Sequence, residues 1–211
     1  MHSAFPSLYD WVMCQAERGR LAEWRRQVVR PADGDVLEIA AGTGLDFRHY
    51  RAGVSVVATE PDLCMLERAR GRVAAAHATI VLVAANAQAL PFRDGSFDTV
   101  VVALGLCTIP SPARALAELR RVLRPGGVAR MLEHVRIDRP VIGRLQDVFT
   151  PLCRRLAGGC RLNQRSLDTV RRAGFRIEYA RWYLRGFIVA LTVSAPIDRP
   201  EPGNQARSDR R

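Results

Sequence analysis

Five short, apolar, β-prone runs punctuate the first two thirds of the chain, at residues 35–40, 54–59, 79–84, 97–103 and 128–135. Between them the apolar positions recur at helical spacing. Residues 7–30 carry Leu8, Trp11, Val12, Leu21, Trp24 and Val28 among charges, and a short helix follows Leu45 to about Tyr50. Pro61 and Asp62 open a helix over 61–76, and Ser111-Pro112 cap another over 111–123. Strands apolar almost throughout are buried on both faces, the third of them (79–84) included. Their alternation with helices predicts a doubly wound parallel α/β sheet. Beyond His134 the pattern changes to apolar and arginine positions over 140–165, broken by Pro151 and Gly158-Gly159. A helix is expected over 163–173, and strands at 175–184 and 187–194 meet at Arg185-Gly186, a connection short enough to require antiparallel pairing.

The first strand carries the chemistry. Val36-Leu37-Glu38-Ile39 gives way to Ala40, Ala41, Gly42 and Gly44 before a helix begins. A strand that breaks into glycines and feeds a helix brings backbone close to a nucleotide-like ligand. Glu38 is the odd residue of that strand, since a lone buried carboxylate is costly unless it is paired or meets a cation. Glu60 closes the second strand 16 residues after Gly44, where paired acceptor oxygens would hold a ribose diol. Each has a plainer reading: Glu38 as a strand-end charge, Glu60 as a favourable charge at the next helix start.

Three stretches extend the pattern: Ala85-Asn86-Ala87-Gln88-Ala89-Leu90-Pro91-Phe92, then Ser96-Phe97-Asp98-Thr99-Val100-Val101, then Arg121-Val122-Leu123-Arg124-Pro125-Gly126-Gly127. With these in place, residues 35–135 resemble the class I S-adenosylmethionine-dependent methyltransferases, specifically the broad small-molecule and lipid group labelled type 11. The resemblance implies a Rossmann-like, doubly wound seven-stranded sheet, mostly parallel with an antiparallel C-terminal edge hairpin. It implies S-adenosylmethionine as cofactor, with Glu38, Ala40, Gly42 and Gly44 at the turn against the methionine end. Glu60 would take the ribose, Asn86 and Ala87 would face adenine, and Leu104 would stand at the end of strand four. Ala40 departs from the family's usual first glycine, Asn86 from its aspartate and Gln88 from its common glutamate. The Asn86 side-chain oxygen still accepts a hydrogen bond, and an ordinary turn is its alternative role. Tyr9, on the N-terminal helix, either closes over the cofactor or packs in the core.

Acceptor residues in such enzymes come from the end of strand four, here Leu104-Gly105-Leu106-Cys107-Thr108-Ile109-Pro110. No Asn/Asp-Pro-Pro-aromatic segment and no Pro-Cys pair are present, so the wall is apolar and suits a small, greasy acceptor. Val100 to Cys107, Leu132-Glu133-His134-Val135 and Gly159-Cys160-Arg161-Leu162 look like the methyltransferase-like branch that includes alkyl-thiol methyltransferases. Quinone and phosphatidylethanolamine methyltransferases are nearby relatives of that branch. The acceptor is therefore expected to be a thiol, a phenol or quinol, or a lipid headgroup. His134, ending strand five, is the general-base candidate, because imidazole titrates near neutrality; a hydrogen bond within the fold is the alternative. Cys107 reads as pocket packing.

The composition limits the partners. All 32 basic residues are arginines, net charge is +11, and they are scattered. That distribution reads first as codon bias in a GC-rich genome and only second as a surface for lipid or nucleic acid. Five cysteines without C-x-x-C spacing suggest neither a disulfide framework nor a metal site. No apolar run reaches the ~18 residues of a membrane span, and no signal pattern opens the chain. A cytoplasmic protein is expected, with transient membrane-surface contact allowed through 141–156, a segment better read as part of an acceptor lid. The expected organisation is one domain over 1–195, with 1–30 as a helical cap and 136–162 as the lid, and a disordered tail at 196–211. Two competing functions remain. A nicotinamide-dependent reductase is disfavoured by the turn spacing and the absence of lysine, and a non-catalytic cofactor-binding partner protein is the other.

Overall fold

The structure, a computed structural model, describes residues 13, 15, 17–156 and 158–195. Tyr9 and the 196–211 tail lie outside the described residues. Seven strands form one sheet: β1 (Asp35–Ile39), β2 (Ser55–Thr59), β3 (Thr79–Val83), β4 (Phe97–Ala103), β5 (Leu123–His134), β6 (Arg176–Tyr183) and β7 (Ile188–Ser194). Their order is β3-β2-β1-β4-β5-β7-β6. β3, β2, β1, β4 and β5 pair in parallel, while β7 runs antiparallel between β5 and β6. The seven-stranded sheet with its antiparallel C-terminal hairpin matches the expectation.

Among the described residues, five helices with determined bounds accompany the sheet: α1 (Leu21–Val29), α2 (Leu63–Val73), α3 (Pro112–Val122), α4 (Pro140–Leu156) and α5 (Ser166–Arg172). The long N-terminal helix expected over 7–30 is interrupted by a turn at Arg18, Gly19 and Arg20, so α1 starts at Leu21. Gly19, the weakest helix former of that stretch, sits inside the break. The stretch after Leu45 makes only a single 3-10 turn, Phe47–His49. α2 begins one residue after Asp62, which is its N-cap and accepts from Cys64 N at 2.8 Å and Met65 N at 3.2 Å. Ser111 makes no such side-chain cap; Pro112 starts α3 through its fixed φ. The third strand, expected to be buried, is the sheet's edge, and Val81 is 54% exposed.

The core follows from strands buried on both faces. Leu37, Ile39, Val100 and Val102 face α3 through Leu116 and Leu119, with Phe175 below α5. Val36, Val56, Ala58 and Val101 face Phe47, Tyr50 and Val29 on the other side. Leu21, Trp24 and Val28 lay α1 on Leu132, Ile188 and Ala190. The strand order reverses between β1 and β4, so the loops after these two strands open a crevice at the carboxyl edge of the sheet. Among the described residues, no helix is long and apolar enough to cross a membrane.

Candidate active site

That crevice holds a cavity of about 350 Å³ running from the ends of β2 and β3 to the ends of β4 and β5. At the first end stand Glu60, Pro61, Asp62, Met65, Ala85, Asn86 and Ala87. Glu60 is 9% exposed, and both its oxygens are engaged. Oε2 accepts from Gly42 N at 3.0 Å, and Oε1 accepts from Asp62 N at 3.1 Å. One carboxylate thus ties the glycine turn to the start of α2. Burial raises its pKa above the usual glutamate value, opposed by those two amides. Asn86 Oδ1 accepts from Gln88 N at 2.9 Å and from Gln88 Nε2 at 3.2 Å, closing the turn after β3. Gly42 has φ +57°, and a Cβ built on it would meet no atom within 4 Å; the backbone there faces open space. Gly44 (φ +80°) is required for a different reason, since a Cβ would strike the Phe47 ring at 2.5 Å.

Ala40 keeps the left-handed conformation of the glycine it replaces, at φ +55°, a conformation that costs a β-carbon-bearing residue about 1–2 kcal/mol. Its methyl sits where a side chain on Gly105 would go, 2.8 Å from the position of that Cβ. The methyl gained at Ala40 is accommodated by the methyl missing at Gly105. Leu104 is also left-handed, at φ +59°, and lines the cavity beside it.

Glu38 does not line the cavity. It lies beneath the turn, 1% exposed, and accepts one hydrogen bond from the Tyr50 hydroxyl at 2.8 Å. Its Oε1 has no partner among the described residues. Burial first, and the nearby Asp46 charge second, raise its pKa well above the ordinary value. Asp46 is itself held by Arg25, at 3.0 and 3.1 Å, which also donates to Glu17 at 2.7 Å.

The far end of the cavity is built on sulfur and imidazole. Leu104, Gly105, Thr108, Ile109, His134, Gly158 and Cys160 line it. Glu133, fully buried on β5, shapes this end from behind. It accepts from Gly105 N at 3.2 Å, Leu106 N at 2.9 Å and Cys107 N at 3.3 Å, binding the loop after β4 to the end of β5. Burial pushes its pKa up to about 8 against those three amides. Cys107 Sγ, Cys160 Sγ and His134 Nδ1 form a triangle: 3.7 Å between the sulfurs, and 3.9 and 3.8 Å from each sulfur to the nitrogen. The contact between the two sulfurs, with His134 assisting, holds the Cys160 pKa down to about 5, while the same contact and burial push Cys107 well above the usual thiol value.

A family model described as "Methyltransferase domain" matches residues 37–131, the span that supplies the turn, Glu60, Asn86 and the loop after β4. The chain contains a class I S-adenosylmethionine-dependent methyltransferase domain. A demethylmenaquinone methyltransferase of Renibacterium salmoninarum is 37% identical over 147 residues, covering 67% of this chain and 59% of that protein. A ubiquinone/menaquinone biosynthesis C-methyltransferase of Methylobacterium nodulans is 41% identical over 123 residues, 54% of this chain and 48% of that one. The chain therefore spans about half to three fifths of the length of these relatives. Among solved structures, a SAM-dependent methyltransferase from Aquifex aeolicus superposes with a TM-score of 0.64 at 14% identity, over 89% of this chain and 97% of that one, which is a likeness of fold.

The cavity fits S-adenosylmethionine, the cofactor of that family. Glu60 would offer carboxylate oxygens to a ribose diol, Gly42 leaves the backbone open to close approach, and Met65 and Ala87 add apolar lining, as S-adenosylmethionine would need. The structure brings Ala40, Gly42, Glu60, Asn86, Ala87, Leu104 and His134 to one cavity wall, and leaves Glu38 and Gly44 behind it as supports. Two features escaped the sequence reading. Glu133 carries no spacing signal because its partners are backbone amides. Cys160 joins Cys107 and His134 from positions 53 and 26 residues away, a juxtaposition only the fold creates.

Proposed function

We propose that the protein transfers the methyl group of S-adenosylmethionine to a small apolar acceptor, and that the attacking atom is a thiol sulfur. The observation carrying this reading is the chemistry of the two cavity ends. The carboxylates lining the cavity, Glu60 and Asp62, both lie at the β2 end and hold backbone amides. At the β4–β5 end the polar side chains are Cys160, His134 and Thr108, and the Thr108 hydroxyl donates to Gly105 O at 2.7 Å. A thiol needs little basic help to ionise, whereas a phenol needs a strong, well-placed base. In the transfer, the acceptor sulfur forms a bond to the methyl carbon as that carbon's bond to the sulfonium breaks. The thiol proton goes to solvent, and the sulfonium leaves as a neutral thioether. Gly42 and Gly44 shape the methionine end, Glu60 holds the ribose hydroxyls, and Asn86 with Ala87 borders adenine. His134 Nδ1 faces the two sulfurs, which sets the imidazole among groups of the acceptor end rather than alone as a base.

The names of the relatives favour a second reading, a quinone-type acceptor. Both readings need a lipophilic substrate, and α4 suggests where it comes from. This helix turns its polar residues Gln146 and Thr150 inward and leaves Val141 and Val148 71% exposed, with Leu145, Phe149 and Leu152 about half exposed. Gln146 is buried because it braces the lid segment, bonding Ile137 N, Val135 O and Leu162 O at 2.8, 3.0 and 2.9 Å. An outward apolar side flanked by exposed Arg144, Arg154 and Arg155 suits the surface of an anionic bilayer. Within the single domain proposed over 1–195, the 136–162 segment would then both border the cavity, through Gly158 and Cys160, and meet the lipid.

The deciding experiment is a panel of alkyl thiols, phenols, quinols and phospholipid amines, read by release of S-adenosylhomocysteine. Turnover fastest on thiols supports the proposal, and faster quinol turnover transfers it to the second reading. S-adenosylhomocysteine binding without any turnover would make this a cofactor-binding partner protein, and binding of a nicotinamide cofactor instead would make it a reductase.

A further inference from the structure

We infer that Cys107, His134 and Cys160 form a three-ligand site for a zinc-class divalent ion, with a fourth coordination position open to the methyl-donor cavity. A tetrahedral ion bonded to sulfur at about 2.3 Å and to imidazole nitrogen at about 2.0 Å holds two sulfurs about 3.8 Å apart and sulfur and nitrogen about 3.5 Å apart. The three sides of this triangle measure 3.7, 3.8 and 3.9 Å. A disulfide would need its sulfurs at about 2.05 Å, so the pair stands at the spacing of shared ligation rather than of a bond. The three side chains are the soft and borderline donors that zinc prefers. They also form a cluster in which every member offers one ligand atom.

The surroundings are those of a built site. Cys107 is held in place by its own N–H on the Glu133 carboxylate at 3.3 Å. Cys160 is delivered by Gly158 and Gly159, consecutive left-handed glycines at φ +59° and +90° that turn the chain back from α4. The next residue, Arg161, fastens that turn to the loop after β4. Its N–H reaches Cys107 O at 3.1 Å, and its guanidinium reaches Ile109 O and Pro110 O. His134 is fixed at the end of β5, where its carbonyl accepts from Ser166 Oγ at 3.2 Å. Cys107 and Cys160 are both buried, and Cys160 and the half-buried His134 line the cavity wall. A three-ligand site with its free position toward a substrate cavity is the arrangement of catalytic zinc, not structural zinc.

Bound, the metal would be held by two thiolates and a neutral imidazole, a set that with a divalent cation carries no net charge. The fourth position would accept a soft ligand from the cavity. On the thiol reading of the acceptor, on which this last step rests, that ligand is the substrate sulfur. It would lose its proton to solvent on coordination and attack the methyl carbon as a metal-bound thiolate, and the thioether product, a poorer ligand, would leave.

The test uses the full-length reduced protein, stripped with a chelator and titrated anaerobically with Co(II), then with Zn(II) in competition. One equivalent of Co(II) should bind with tetrahedral visible bands and a sulfur-to-cobalt charge-transfer band, both lost as Zn(II) displaces it. Cys160→Ser should weaken binding by about 100-fold or more, since removing even an outer-shell partner costs 10–100-fold. Cys107→Ser is the second variant, and thermal melts followed by circular dichroism show that each is folded. Two outcomes overturn the site: Co(II) bound equally by wild type and folded Cys160→Ser, or no stoichiometric binding by the reduced protein. In the second case a Cys107–Cys160 disulfide formed under mild oxidant would make the pair a redox couple. A cobalt spectrum perturbed by an alkanethiol supports the open fourth position. A cobalt spectrum without thiol turnover keeps the metal site and removes the thiol acceptor.

Discussion

At the β2 end of the cavity, a carboxylate holds the rim together: Glu60 accepts from two backbone amides of different loops while facing the cavity. At the β5 end the equivalent bracing is done from behind by Glu133, three amides deep and fully buried, so the cavity wall is left to sulfur and imidazole. The difference teaches how one sheet edge serves two tasks. On the proposed function, the bracing carboxylate would double as ligand where a polar cofactor is gripped; where a soft nucleophile is approached, the charge is withdrawn from the surface and only its positioning effect remains.

The largest expected effect tests Glu133. Glu133→Ala leaves three amides without an acceptor in a buried place, at about 1–3 kcal/mol each when unsatisfied, so unfolding stability should drop by about 3–5 kcal/mol. Urea denaturation measures it; a loss under about 1 kcal/mol would show that water replaces the carboxylate easily. Glu38→Gln is the control, since among the described residues the Glu38 carboxylate is bonded only by the Tyr50 hydroxyl and its Oε1 has no partner. Its cost should stay near 1 kcal/mol. Glu38 also carries a pH signature. Glu38 has a raised folded pKa, so its contribution is complete below the unfolded value of about 4.3 and declines as pH rises through the folded value. Glu38→Gln should flatten that decline in a series of melts from acid to neutral pH.

The opposite end is sharpened by Glu60. Glu60→Ala should weaken S-adenosylhomocysteine binding about 10- to 100-fold by calorimetry, the worth of hydrogen bonds to a charged group. Because burial raises its pKa, wild-type affinity should begin to fall on acidification above the ordinary glutamate range of about 4.3. Glu60→Gln should show a weaker but pH-independent affinity over the same window. A folded Glu60→Ala with unchanged affinity would leave Glu60 as a brace like Glu133, and the contrast between the two ends would disappear.

A comparable effect is expected on the outside of the acceptor end. A double change Val148→Asp and Phe149→Asp removes two apolar side chains from α4 without touching the cavity. Burial of such side chains is worth about 1.5–3 kcal/mol each when complete, so sedimentation with phosphatidylglycerol vesicles should fall at least about 10-fold. Turnover on a water-soluble thiol should stay the same. Equal binding of both proteins to vesicles would return α4 to a lid without a lipid role.

The two ends also differ in how far the sequence revealed them. Gly42, Gly44 and Glu60 stood out by their spacing from the strand ends, Asn86 through the resemblance alone, and Glu38 stood out as a buried charge that the fold places behind the cavity. The antiparallel hairpin was legible from the short connection at Arg185-Gly186, whereas the strand order β3-β2-β1-β4-β5-β7-β6 appears only in the fold. At the acceptor end the loop 104–110 and His134 were legible, but the meeting of Cys107, His134 and Cys160 was not. Cys107, His134 and Cys160 come from three separate segments, and spacing rules address ligands that are neighbours in sequence. The helical period of α4 shows that it has an apolar side, but not that a buried Gln146 and Thr150 turn that side outward. The break at Gly19 was visible as a glycine, and overlooked because the apolar period continues across it.

The smallest effect couples the two ends directly. Ala40 belongs to the loop after β1 and Gly105 to the loop after β4, and the fold accommodates the methyl of the first in the space left by the second. Gly105→Ala should clash, with its new Cβ at 2.8 Å from the Ala40 methyl and 3.1 Å from Val102 Cγ1, and lose about 1–3 kcal/mol. Ala40→Gly relieves a left-handed alanine but makes the unfolded chain more flexible, two terms of about 1 kcal/mol with opposite sign, so stability should barely move. The double variant then discriminates. If the contact at the switch point is what Gly105→Ala violates, Ala40→Gly should recover about half of the loss, the remainder being Val102. That coupling would appear as an interaction energy of about 0.5–1.5 kcal/mol in a double-mutant cycle of urea midpoints. Strict additivity would mean that the loops adjust independently, and that the alanine in place of the usual glycine is tolerated by the β1 turn alone.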